Sequence, residues 1–349
     1  VAAIRARHDA VSWFVAQSGY REKLRTVLRA ATDMERALSR LTVGRGGPRD
    51  LAAIRDGLAA SSELNLVLGS ASGLPAEVSD TCKDLRGHGS LIEHLSQSLG
   101  DELAPMARDG GFVRAGYSAE LDELRELRDE SRKHMASLQA RYSTETGVKS
   151  LKIRHNNVLG YFIDVTSNQA EKMPVADGSP FIHRQTLSSA VRYTTVELGE
   201  LEGKISRAGD QALALEQELF KDLVRAITAR TEQTLMAAAA LADLDVASAL
   251  ATLAAERRYV RPIVDDSTTF YVEGGRHPVV ESILKPTRYG AFIANDCNLE
   301  NLQRLWLVTG PNMAGKSTVM RQVALITLMA QMGSFVPAAS ARIGVVDRI

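Results

Sequence analysis

The sequence predicts a mixed, mainly α chain: long antiparallel helices with a small β-rich module at their tip, followed by the opening of an α/β domain. Three observations point there. Apolar residues make up 45% of the chain and aromatics only 5%, an Ala- and Leu-rich composition suited to helices. Leu198, Leu201, Ile205, Ala208, Ala212, Leu215 and Leu219 recur in alternating steps of three and four, the spacing of a helix lying along a partner. A glycine-rich segment, Gly310-Pro-Asn-Met-Ala-Gly315-Lys316-Ser317, follows an expected apolar strand at Trp306-Leu307-Val308 and precedes an apolar helical stretch from Thr318 to Met332.

A length of 349 residues exceeds what one core usually organises, so two or three domains are expected. Lys plus Arg equals Asp plus Glu at 42 each, so any nucleic-acid contact needs a local basic patch. The two cysteines, Cys82 and Cys297, exclude a disulfide scaffold and fit a reducing compartment, so a cytoplasmic, nucleoid-associated location is expected. No run of about 18 apolar residues occurs, and no signal pattern opens the chain, so no membrane partner is expected. Val1 falls inside a helical pattern (Ile4, Val11, Phe14, Val15), and Val345 to Ile349 stop without a turn, as in a piece of a longer protein.

In order along the chain, residues 1–105 alternate helical stretches with breaks such as Gly44 to Pro48 and Gly73 to Pro75, an irregular helical region. A charged helix follows over 118–146, with apolar Leu121, Leu124, Leu127, Met135, Leu138 and Tyr142. Leu151 to Ile153 and Tyr161 to Thr166, separated by Asn156-Asn157 and Gly160, predict a hairpin or small sheet. A long helix begins at Glu197; run to Arg230 it is roughly 50 Å long, with the 118–146 helix as its antiparallel partner. A further helix is expected over 231–257 and a strand over Thr268 to Val272. His277, beside Pro278 in a turn, is read as a hydrogen-bonded scaffold residue.

The glycine-rich segment satisfies G-x-x-x-x-G-K-[ST] in full. Gly310 and Gly315 let backbone N–H groups approach phosphate oxygens without a Cβ in the way, and the following helix aims its positive end at the same anion. Lys316 can reach terminal phosphates, and the Ser317 hydroxyl can ligate Mg²⁺. After Lys316 the only acid is Asp347, at the end of an Ile343-Gly-Val-Val run. No catalytic residue is therefore assigned within the chain, which by itself should bind nucleotide poorly and hydrolyse it hardly at all.

The loop, extended as Thr309 to Thr318 with Met320-Arg-Gln322 and Ala330 to Ala338, resembles the ATPase domain of the MutS family of DNA mismatch-repair proteins. Gly275-Arg-His-Pro-Val-Val-Glu281 and Phe292-Ile-Ala-Asn295 are similar to that family's approach to the nucleotide. Gly116 to Arg125, Gly160 to Thr166, Arg184 to Leu187 with Arg192-Tyr193, and Glu197 to Glu202 are similar to its lever and clamp. The resemblance implies a lever/core helical domain over 1–135 and 197–260, a β-rich clamp over 136–196 at the helix tips, and the first part of a P-loop ATPase domain of ABC type over 261–349. It implies ATP or ADP with Mg²⁺ as cofactors, with Phe292 stacking on adenine and Ile293 flanking it. Gly310, Pro311, Asn312, Met313, Ala314, Gly315, Lys316, Ser317 and Thr318 would line the phosphates, and Ser317 would hold Mg²⁺. Partners implied are double-stranded DNA, mismatched or looped, a second copy of the protein, and a downstream factor of MutL type.

Lys152, Asn157, Arg184 and Arg192 are the candidate DNA contacts. Between Val148 and Val196 six Lys/Arg face three acids, a modest excess that suits backbone contact without base reading. Ser188-Ser189 stand where many relatives carry Lys-Asn. The family's mismatch-reading domain, connector and second acidic motif have no counterpart here. A MutS-like paralogue that clamps branched DNA without reading mismatches is the alternative. A chromosome-organising coiled-coil ATPase fits less well, because its phosphate loop usually precedes the coiled coil.

Overall fold

The computed structural model describes residues 1–156, 158–175, 179–284, 292–300, 303–311 and 314–349, with the side chains of 131 and 132 left aside. In chain order the elements begin with α1 (Ala2–Ala16), α2 (Ser18–Ala30), α3 (Met34–Thr42), α4 (Pro48–Gly69), α5 (Ala76–Asp84) and α6 (Gly89–Ser98). Then come α7 (Ala119–Thr146), β1 (Lys152–Asn156), β2 (Gly160–Thr166), β3 (Ile182–Thr186), β4 (Ala190–Thr194), α8 (Val196–Thr228) and α9 (Thr231–Arg257). The last are β5 (Ile263–Asp265), β6 (Phe270–Gly275), α10 (Pro278–Ile283), β7 (Asn295–Leu299), α11 (Lys316–Met332) and β8 (Ser340–Gly344). The chain is thus mainly helical with two small sheets. It divides into two compact units, Val1–Arg40 with Ala53–Glu93 and Ile227–Ile349, and Leu41–Ala52 with His94–Ala226.

In the second unit, Ser118 caps α7 by accepting from the Leu121 N–H, and Gly147 ends it in the left-handed conformation. The sheet that follows runs β1-β2-β4-β3, all antiparallel. Its hairpin turn is closed by Asn156, whose side-chain oxygen accepts from the N–H groups of Val158 (3.0 Å) and Leu159 (2.7 Å). One face of the sheet, with Ile163, Val165, Val191 and Tyr193, packs with Leu138 and Tyr142 of α7 and Leu198 and Ile205 of α8 in one core. Glu202 of α8 accepts from the Tyr161 N–H, which ties the hairpin to that helix.

α7 and α8 run antiparallel: Arg141 pairs with Glu197 near the sheet, and Arg125 with Glu216 at the other end. Their meeting differs from the expected seam. Leu198, Ile205, Ala208 and Ala212 are buried as anticipated, but Leu215 is only half-buried and Glu216 takes the next buried place, followed by Leu223 and Ile227. A strict heptad drifts around a straight helix, and here the buried stripe follows the helix's own period of about 3.6 residues. The two helices also meet through side chains more than by close backbone approach, leaving a groove of about 450 Å³ lined by His134, Leu138, Glu197 and Leu201.

In the first unit, α9 is the centre. Its buried residues include Ala237, Ala240, Ala251 and Ala254, small side chains that let α1, α2 and α5 come close. Among the described residues it is the one helix long and apolar enough to cross a bilayer by length and composition; it carries Asp243 and Asp245 and packs against those three helices.

The second sheet runs β5-β8-β6-β7, with β5 and β8 parallel and the other pairs antiparallel. Ile326 and Ala330 of α11 pack on Val264, Val272 and Ile343. The expected apolar strand at Trp306-Leu307-Val308 does not form: residues 303–310 are non-regular, with Leu305 85% and Leu307 86% exposed. An apolar run becomes a central strand only where neighbours take up its backbone groups and cover both faces, and none of the four strands pairs with it. The run expected to carry Asp347 forms a strand only to Gly344, where the Ser267 carbonyl stands in the space a side chain would need. Asp347 lies beyond that strand and is exposed.

Candidate phosphate loop and nucleic-acid interface

Gly315 occupies the left-handed region (φ 84°) and forms the N-cap of α11, with its carbonyl accepting from the Val319 N–H at 3.0 Å. Lys316, Ser317 and Thr318 therefore make up the first helical turn, whose N–H groups have no partner within the helix. Ser317 is exposed there. Lys316 folds back over the loop, its ammonium donating to the carbonyls of Gly310 and Pro311, the second at 2.6 Å. Ala314 donates to the Pro311 carbonyl at 3.4 Å, which closes the turn. Asn312 and Met313 lie outside the described residues.

Phe292 is half-buried and Ile293 is 83% exposed, just ahead of β7. The Asn295 side chain holds this segment by donating to the Ile293 carbonyl at 3.0 Å and to Gln322 of α11 at 3.5 Å. Gln322 is 1% exposed and stands six residues past Lys316, about 9 Å along the helix. Cys297 of β7 is 5% exposed and packs in the sheet's core, and burial pushes its thiol up. His277 caps α10, its Nδ1 accepting from the Val280 N–H at 3.2 Å, the scaffold role expected. Arg276 beside it pairs with Glu281 at 2.8 Å and donates to the carbonyls of Arg257 and Arg258. Among the described residues no group of three or more His, Cys, Asp or Glu could hold a metal.

In the other unit, strand alternation puts Lys152 and Arg154 of β1, Phe162 and Asp164 of β2, and Arg192 of β4 on the face opposite the core. Asp164 lies between Arg154 (3.4 Å) and Arg192 (3.8 Å). The Arg192 guanidinium sits 4.5 Å over the buried Phe162 ring and donates to Gln185 at 2.9 Å. Arg184 stands in the β3 irregularity and is exposed, as is Lys152. Lys152 and Arg192 thus share a face, Arg192 is largely occupied by intramolecular contacts, and Asn157 lies outside the described residues. Arg154, absent from the expected contacts, belongs to the same face; its two-residue spacing from Lys152 carries that signal.

A glycine-capped loop at the head of α11 and a basic sheet face stand on one chain. The family model of MutS domain III matches residues 1–251, and that of MutS domain V matches residues 306–349. The chain belongs to the MutS family. It is similar to the DNA mismatch repair protein MutS of Rhodopseudomonas palustris (strain BisA53), 55% identical over 355 residues that cover 99% of this chain and 39% of that protein. The protein of the same name from strain BisB18 is 54% identical, over 99% of this chain and 39% of its own length. That of Rhizobium meliloti (strain 1021) is 51% identical, over 99% and 38%. The MutS-family chain therefore spans about two fifths of the length of these curated relatives.

Proposed function

We propose that this chain is the lever, clamp and phosphate-loop portion of a DNA mismatch-repair ATPase. The lever/core would comprise residues 1–135 and 197–260, the clamp 136–196, and the opening of the ATPase domain 261–349. The observation that carries the reading is the Gly315-capped start of α11 with Lys316 folded onto the loop, in a chain of the MutS family. In that reading phosphate oxygens of ATP or ADP replace the Gly310 and Pro311 carbonyls as acceptors for Lys316, and the first-turn N–H groups of α11 hold the same anion. Ser317 would hold Mg²⁺, whose charge would offset that of the phosphates. Phe292 would stack on the adenine with Ile293 beside it. The face bearing Lys152, Arg154 and Arg192, with Arg184 from the β3 irregularity, would meet the phosphate backbone of double-stranded DNA, mismatched or looped, with base reading done elsewhere in the whole protein. A homodimer, a downstream factor of MutL type and a cytoplasmic location belong to the same proposal.

The test uses the whole protein. ATP turnover is measured with matched, mismatched and branched duplexes, for the wild type and Lys316→Ala. Stimulation by the mismatch, lost in the variant, is the expected result. Turnover indifferent to mismatches but raised by branched DNA would overturn the mismatch reading in favour of a branched-DNA clamp.

A further inference from the structure

β6, β7 and α11 meet where Gly275, Asn295 and Gln322 come together. Gln322 is 1% exposed, and Ile326 and Ala330, four and eight residues on, carry the same helix face into the apolar core. An amide buried there is costly unless it is bonded. Gly275 makes the room for it: a Cβ at that position would stand 2.8 Å from Gln322 Nε2 and 2.9 Å from the Asn295 carbonyl oxygen. The Asn295 side-chain nitrogen donates to the Gln322 side-chain oxygen at 3.5 Å and to the Ile293 carbonyl at 3.0 Å. Two hydrogen bonds thus run from the interior of α11 to the backbone beside Phe292.

Packing alone would be met by an apolar side chain of similar length. An amide adds direction, because its oxygen orients Asn295 and Asn295 in turn holds the backbone. α11 begins at Lys316, so the helix that carries the phosphate loop also holds the segment 292–295. Resting on the reading that adenine stacks on Phe292 while Lys316 takes the phosphates, we propose that Gln322 is a positioning residue for the nucleotide. Through Asn295 it sets the spacing between the base and the phosphates. The loop turn has its own closure, Ala314 on the Pro311 carbonyl. Loss of the amide therefore loosens the base and leaves the reacting phosphates in place.

Steady-state ATP turnover of the whole protein tests this, for the wild type, Gln322→Met, Asn295→Ala, the double variant and Phe292→Ala. Methionine fills the space of Gln322 without an amide, and thermal melting checks that each variant is folded. Gln322→Met and Asn295→Ala should each raise KM about tenfold with kcat within about twofold, the mark of lost binding and not of lost chemistry. The double variant should show no further rise, because both changes cut one link. Phe292→Ala reports on the underlying reading and should raise KM as well. A raised KM in Phe292→Ala with unchanged KM in Gln322→Met overturns the positioning role alone; if Gln322→Met fails to fold, Asn295→Ala decides the same point. A fall in kcat with KM unchanged makes Gln322 a strut of the phosphate loop and overturns the role, as do additive rises in the double variant. An unchanged KM in Phe292→Ala overturns the reading of that segment and this inference with it.

Discussion

Arg125 on α7 and Glu216 on α8 form an ion pair in which Glu216 is 3% exposed, and its second oxygen accepts from the Gly111 N–H at 2.5 Å. Arg125 also donates to the Val113 carbonyl at 3.0 Å. One carboxylate thus joins both long helices to the loop that precedes α7. Truncation would leave the Gly111 N–H unpaired and remove one acceptor of Arg125, which keeps the Val113 carbonyl and Asp122 at 3.7 Å, so Glu216→Ala should cost about 2 kcal/mol. Glu216→Gln, which keeps an oxygen for Gly111, should cost less. Urea unfolding of the chain measures both; a neutral Glu216→Ala would show that the pair is not structural.

α8 holds Gly199, Gly203 and Gly209 in its interior, and a Cβ at Gly199 or Gly209 would meet nothing within 4 Å. Close packing therefore does not require them. Each Gly→Ala change should stabilise the chain by about 0.5–1 kcal/mol by removing backbone freedom from the unfolded state. A lowered urea midpoint in the triple alanine variant would contradict this.

His8 is 1% exposed, and its Nε2 has no hydrogen-bond partner. Burial holds it below the usual histidine value, with Arg261 acting in the same direction; backbone bonds to Ser334 and Ala330 and the charge of Asp9 oppose. The unfolded chain takes up this proton near pH 6.5 while the folded one resists, so stability is lost as pH falls below about 6.5. The melting temperature should drop from pH 7 to pH 5, and less steeply in His8→Gln. Identical slopes would remove His8 as a cause.

Among the described residues, the hydrogen bonds of Lys316 go to carbonyls of its own loop. Lys316→Ala should leave the urea-unfolding free energy of the chain within about 0.5 kcal/mol of wild type. The same change in the whole protein should abolish binding of a fluorescent ATP analogue. A large loss of stability would mean that the lysine is a structural strut.

Much of the architecture could be read in one dimension because it depends on local pattern. α7, α8 and α9 fall where apolar periodicity and turn residues place them, and the β1–β2 hairpin turns at Asn156 and Gly160 as its residues require. The exchange of Leu215 for Glu216 in the buried stripe was not legible, because burial at that turn depends on where Arg125 and Gly111 come to lie. Nor could Trp306 to Val308 be placed from hydropathy, since an apolar run reads the same whether or not strands lie beside it.

By itself, the order of residues determined the helices, the hairpin, the glycine-capped loop at Lys316 and the family, since each rests on neighbours a few positions apart. Only the tertiary structure decided that β1 and β4 bring Lys152 and Arg192 to one face, that Arg192 is held over Phe162, and that Asn295 meets Gln322. Those relationships join residues tens of positions apart, and packing and pairing between elements, not local preference, bring them together.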